Sequence, residues 1–340
     1  MLKAFRTLFS QPIQTPLQWG IVAAFMLCYA LLTTLPNDDW HRNAADLPNG
    51  LLVYDNPAYV YPPWALILLY PYYLLTASGA RAAAVLMVAW FMRQRGYSLG
   101  KFCAIIISPL FIWTMILSSA DTLILLLPVL LWNAKTRWSG AARALALALL
   151  LLKPQVTFLL VLYLLWTLRR QPRPLLITLA ILLLITLPIS LLGSPPLLLQ
   201  WVDNILHPMD VNLDHWVYNN LSLTYRYGLP FAVAVVVLSL GGLYWLMRRR
   251  GYRWTNDHIY AALLVASMLL APYASNQSAI VPLTLLPSGL VTGLQFVGVL
   301  GTAILNIYAL ADDWLVLMFT LVALWQHRST HTLSHDVESV

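Results

Sequence analysis

Long apolar runs, each closed by a basic cluster or by Pro, Gly, Asn or Asp, set the pattern of this chain. The first run covers 17–35 and follows Lys3 and Arg6. It is too long for a signal-peptide core and no small-residue cleavage site follows it, so it predicts a retained first membrane helix. Further runs at 81–92, 102–117, 122–133, 140–152, 156–168, 175–192, 228–247, 259–272, 279–290, 292–310 and 314–325 predict helices throughout. Basic clusters at 93–101, 135–143, 169–173, 248–253 and Arg328 separate them. If each cluster is cytoplasmic, an outward and an inward helix lie between successive clusters. Counting 62–77 as one more span would put Arg93, Arg95 and Lys101 outside. Its Pro62, Pro63 and Pro71 suit a broken helix lying in the outer interface, or a re-entrant one.

The predicted class is therefore all-α: a polytopic membrane protein with about twelve transmembrane helices and both termini cytoplasmic. One membrane-embedded domain is expected over 1–326, with a first outer loop at 36–61, an interfacial helix at 62–77 and a long outer loop at 193–222. A polar, unstructured cytoplasmic tail is expected over 327–340. Several runs are short, so polar ends must extend them.

Composition agrees. Apolar residues make up 60% of the 340 positions and charged ones 10%, too little charge to cover a soluble globule and too much apolar content for disorder. Two cysteines make no disulfide framework. The formal charge of +7 concerns orientation rather than nucleic acid. All of the 20 lysines and arginines except Arg42, Arg81, Lys153 and Arg226 fall on predicted inner segments. Of the 13 carboxylates, all but Asp257, Asp336 and Glu338 fall outside. Acidic residues barely influence topology, so the outer face is where chemistry is expected.

The first outer loop reads Asn37-Asp38-Asp39-Trp40-His41-Arg42, continues through Tyr54-Asp55-Asn56-Pro57, and closes on Tyr61-Pro62-Pro63-Trp64. A carboxylate within reach of a hydroxyl can act as general base; an Asp just past a helix can equally be a cap or a solvated acid. Lys153 stands alone at the predicted outer end of a Leu-rich helix, before Pro154, and reads as a phosphate contact or as a snorkelling lysine. Arg226 is a further outer cation. His41 and Arg42 are near enough in sequence to orient Asp39, and His207 and His215 lie in the long outer loop. His327, His331 and His335 would share one face of a helix, an accidental cluster in a polar tail. No Asp-x-Asp metal motif and no Gly-rich phosphate loop occurs, so neither a metal nor a cofactor is expected.

In order, Asn-Asp-Trp, Ala44-Ala45, Gly50, Tyr54-Asp55-x-Pro57 and Tyr61-Pro62-Pro63-Trp64 resemble the first outer loop of polyprenyl-phosphate-mannose-dependent mannosyltransferases, of the membrane-embedded C-fold glycosyltransferase superfamily. Leu152-Lys153-Pro154, Asn220-Leu221-Ser222 followed by Arg226, and Ala271-Pro272-Tyr273 resemble three later elements of that family in the same order. Where the family often has Gly-Gln or Gly-Asn in the second outer turn, this chain has Ser118-Ser119-Ala120-Asp121. The resemblance implies inverting transfer of a sugar, mannose in the family, from a polyprenyl phosphate to an acceptor hydroxyl at the extracytoplasmic face of the plasma membrane. It implies Asp39 as general base, since Trp40 follows it, with Asp38 as runner-up. Lys153 and Arg226 are then expected at the donor phosphate. His41, Arg42, Tyr61, Trp64, Asn220 and Ser222 are expected as acceptor contacts or loop support. The expected partners are the lipid-linked donor, a glycan, glycolipid or protein acceptor, and the bilayer; nucleic acid is not among them. The rival reading is a transporter or flippase of a lipid-linked sugar, which would place ionisable residues near the middle of its spans.

Overall fold

The computed structural model of the protein describes residues 2–33, 61–117, 120–132, 138–206, 220–305 and 312–335. Among them every element is helical, and the β pairing is confined to two isolated bridges, Pro12 with Ser98 and Asn220 with Ser275. The all-α class holds. Two helices, Pro172–Ser190 and Leu229–Arg249, are long and apolar enough to cross a membrane among the described residues. A third candidate is the pair Leu99–Ile106 and Pro109–Ile116, bent by 56° at Ser108-Pro109. Other apolar helices are shorter, because proline and small polar residues interrupt them: Pro16–Ala30, Ser139–Leu150, Pro154–Leu168 and Asn256–Leu270 are examples. Leu229–Arg249 contains a π turn at Val237–Gly241, where Ser239 Oγ donates to the Val235 carbonyl at 2.6 Å.

The chain forms two compact units. One comprises Met1–Ile21, Val88–Trp113 and Asn219–Val340; the other comprises Val22–Met87 and Thr114–Tyr218.

In the second unit, Ser139–Leu150 packs along Pro172–Ser190. Gly140 permits the approach: a Cβ there would stand 2.7 Å from the Ile177 side chain. The segment 62–77, expected as one interfacial or re-entrant helix, holds two one-turn helices, Ala65–Leu68 and Tyr70–Tyr73, before the long helix Ala77–Gln94. Pro71 opens the second of them. Tyr61, Trp64, Ala65, Leu69 and Tyr73 turn inward onto Leu149, Leu152, Ile189 and Leu197, while Ile67, Tyr70 and Leu74 face outward.

In the first unit, the last helix, Asp312–His335, packs against Asn256–Leu270 and Ile280–Leu285. This corrects the expected tail. His327, where an unstructured tail was expected to begin, is buried within that helix. The apolar stripe through Val316, Phe319, Thr320 and Ala323 continues one turn further onto His327, whose ring is held by the polar contacts described below.

Candidate functional site

Lys153 occupies the turn between Ser139–Leu150 and Pro154–Leu168. Pro154 explains the break, since it disfavours helical backbone in the residue before it; Lys153 has φ −129° and ψ 69°. Thr157 Oγ1 donates to the Leu150 carbonyl at 2.6 Å and lies 3.1 Å from the Lys153 carbonyl, serving the acceptors the ended helix leaves over. The half-buried Lys153 ammonium donates to Thr122 Oγ1 at 2.6 Å and lies 5.7 Å from the Tyr61 ring centroid. Thr122 is fully buried. Trp64 donates from Nε1 to the Ala148 carbonyl at 3.2 Å and meets Trp201 edge-on at 6.1 Å. Three of the expected residues, Tyr61, Trp64 and Lys153, thus gather at one end of the Ser139–Leu150 helix, and Lys153 is drawn inward rather than extended along a helix surface. Thr122 and Trp201 belong to the same cluster, and of these Thr122 was not foreseen.

Asn220, Ser222 and Arg226 gather in the first unit. Asn220 is buried, and its Oδ1 accepts from the Ser222 N–H at 2.9 Å and the Ala274 N–H at 3.1 Å. Its Nδ2 donates to the Pro272 carbonyl at 3.4 Å, and the Leu221 N–H donates to the Ala274 carbonyl at 2.8 Å. Ser222 Oγ donates to the Ala271 carbonyl and accepts from the Tyr225 N–H at 2.9 Å, capping the short helix Leu223–Tyr227. Arg226 Nη2 donates to the Asn220 carbonyl at 3.2 Å. Two stretches singled out in the sequence, 220–226 and 271–274, are therefore clasped together. The geometry assigns loop support to Asn220 and Ser222, because their side chains are spent on backbone groups. Gln277, also buried, lies in the following short helical turn, Asn276–Ala279.

Asp38, Asp39, His41 and Arg42 lie outside the described residues, as do His207 and His215.

The first unit also holds a polar knot that the sequence reading missed. The buried Tyr97 hydroxyl lies 2.9 Å from the Leu285 carbonyl, 3.3 Å from Asp257 Oδ2 and 3.1 Å from His327 Nε2. The hydroxyl carries one proton and donates to one of these three partners; with that proton on the Leu285 carbonyl, the nearest of them, its oxygen accepts from His327 Nε2–H. Arg95 Nη2 forms an ion pair with Asp257 Oδ1 at 2.9 Å. Burial, and the Asp257 carboxylate beside it, push the Tyr97 hydroxyl well above its ordinary pKa. His258 Nδ1 accepts from the Thr255 N–H at 3.2 Å in a capping box, and its ring meets that of His327 edge-on at 5.2 Å. No group of three His, Cys, Asp or Glu able to hold a metal occurs among the described residues.

The chain matches no family model, no curated protein and no solved structure.

Proposed function

We propose that the protein is a membrane glycosyltransferase that moves a sugar, mannose by resemblance, from a polyprenyl phosphate to an acceptor hydroxyl with inversion. The order of outer-loop elements from Asn37 to Pro282 carries this reading. In the reaction, the Asp39 carboxylate takes the acceptor's hydroxyl proton while the acceptor oxygen forms its bond to the anomeric carbon. The bond from that carbon to the phosphate oxygen breaks on the opposite side, and polyprenyl phosphate leaves with the electron pair. The departing phosphate gathers negative charge, which a lysine or arginine stabilises; Lys153 is the cation offered for it.

The gathering of Lys153, Tyr61 and Trp64 supports the reading, since a cation over the Tyr61 ring, with Trp64 in the same aromatic cluster, suits a phosphate joined to a sugar. The membrane layout belongs to it too: about twelve spans, the segment 62–77 interfacial or re-entrant, the termini cytoplasmic and the site extracytoplasmic. Helices Pro172–Ser190 and Leu229–Arg249 carry charge only near one end, an arrangement that favours an outer-face enzyme over a carrier with ionisable groups in mid-span.

The test is transfer in membranes supplied with polyprenyl-phosphate-mannose. Asp39→Asn and Asp39→Ala abolish product at wild-type levels of inserted protein, and full activity in both sinks the assignment of the base.

A further inference from the structure

The helix Leu229–Arg249 ends in a basic turn that the transfer reaction does not use. Arg248, Arg249, Arg250 and Arg253 fall within six residues, and all four are exposed. Gly251, at φ +83°, makes the sharp turn between them. No acid occurs from Leu229 to Asn256, and the next one, Asp257, is the partner of Arg95. Among the described residues none of the four arginines forms an ion pair. Like charges this close repel one another, so the turn is short of an anion.

The arginines are arranged rather than splayed. The Arg249 guanidinium lies 4.0 Å from the Trp245 ring centroid, and Trp245 as a whole is 54% exposed. Arg248 Nη1 donates to Tyr244 Oη at 3.1 Å, and Arg250 stands 5.3 Å from the Trp325 ring. A guanidinium laid on an aromatic ring keeps its N–H edge outward, and that edge matches two phosphate oxygens at once.

The position supplies the ligand's identity. Helix Leu229–Arg249 has 21 residues, about 31 Å at 1.5 Å each, close to the hydrocarbon thickness of a bilayer. Its outward residues Phe231, Val233, Val237 and Leu238 are exposed and apolar. When such a helix spans, its final turn lies at the depth of the lipid headgroups, where tryptophan also concentrates. The other unit repeats the device. The second helix fit to span, Pro172–Ser190, is entered through Arg169, Arg170 and Arg173. There Arg169 lies 3.6 Å over the exposed Trp166 ring and donates to its carbonyl at 2.9 Å.

We propose that Arg248, Arg249, Arg250 and Arg253, seated on Trp245 and Tyr244, bind the phosphodiester headgroups of anionic phospholipids at the end of Leu229–Arg249. A zwitterionic headgroup carries its own cation and leaves the turn uncompensated; a net-negative headgroup does not. The inference rests on the membrane reading and is independent of sugar transfer.

The test uses the full chain purified in detergent, with native mass spectrometry of retained lipid. The probes are phosphatidylglycerol and phosphatidylcholine of identical acyl chains. Each arginine near an anionic surface is worth about fivefold in affinity, so R249Q/R253Q lowers phosphatidylglycerol retention about tenfold or more and leaves phosphatidylcholine unchanged. In the wild-type chain, raising salt from about 0.05 to 0.5 M erases the preference, since the Debye length contracts. This arm keeps the idea testable should the double variant misfold. Equal retention of the two lipids by the wild-type chain overturns the proposal, as does undiminished phosphatidylglycerol retention in R249Q/R253Q or a preference indifferent to salt. Displacement by soluble glycerol phosphate at concentrations equal to the lipid also overturns it, since the ligand would then be free phosphate.

Discussion

Asn220→Ala tests the clasp between the stretches 220–226 and 271–274 of the first unit. The wild-type Oδ1 accepts two buried backbone N–H groups, those of Ser222 and Ala274, at 2.9 and 3.1 Å. Alanine leaves both without that acceptor in a place where Asn220, Ser222 and Ala274 are all buried. A buried donor deprived of its partner costs about 1–3 kcal/mol, so the variant loses about 2–6 kcal/mol. The third bond, from Nδ2 to the Pro272 carbonyl, is the longest at 3.4 Å and adds little. Asn220→Asp separates this explanation from a general intolerance of change. Aspartate keeps both acceptor positions, turns the weak donation into an oxygen facing the Pro272 carbonyl, and has Arg226 as a neighbouring cation to offset its charge. Its loss is therefore smaller than that of alanine. Thermal unfolding in detergent, followed by tryptophan fluorescence and read as a rate if irreversible, ranks the three proteins. The expected order of stability is wild type, N220D, N220A. The reasoning is refuted if N220A unfolds with the wild type, or if N220D is the less stable of the two variants.

Lys153→Met removes the ammonium that Thr122 and Tyr61 hold. The KM for the polyprenyl-phosphate sugar rises about tenfold or more while that for the acceptor is unchanged, as initial rates with each substrate varied will show; an unchanged donor KM returns Lys153 to a structural role. Tyr97→Phe tests the knot by pH. The Tyr97 hydroxyl holds its proton in the fold far above pH 10, whereas in the unfolded chain it ionises near pH 10. Its contribution is therefore full below pH 10 and falls as pH rises beyond it, where only the unfolded chain gives up the proton. Melts from pH 8 to about 11.5 give a steeper alkaline decline in the wild type than in Y97F, and parallel declines count against the buried hydroxyl.

Local patterns were legible in the sequence where one stretch of chain decides the outcome. The prolines of 62–77 marked a break in the sequence, where the chain forms single turns in place of one helix, and Pro154 stops the preceding helix at Lys153. Helical class followed from apolar runs bounded by basic clusters. The knot was not legible, because Tyr97 meets partners 160, 188 and 230 residues away and no local spacing announces such a meeting. Asp257 read as one of three inner acids, and His327 as the first residue of a polar stretch. Thr122 was missed for a similar reason: a threonine in an apolar run carries no mark of the lysine that will reach it. For Asn220 a signal existed. Asn two residues before Ser, with a cap to follow, is the pattern of a side chain that bonds its own backbone, and it points to support rather than to substrate.

The two units are nested in the order of synthesis. A ribosome that has reached residue 218 has made all of the second unit, while the first still lacks everything from Asn219 onward. Tyr97 and Arg95 have by then been made, but Asp257 and His327 have not. On the growing chain, then, Tyr97 and Arg95 wait for Asp257, which comes with Asn256–Leu270, and Tyr97 waits further for His327 in the last helix. The second unit can complete its packing early, and arrival of Asp312–His335 closes the first. A nascent chain arrested ahead of Asn256–Leu270 would present Tyr97 and Arg95 before Asp257 exists, a signature by which quality control could tell unfinished copies from finished ones.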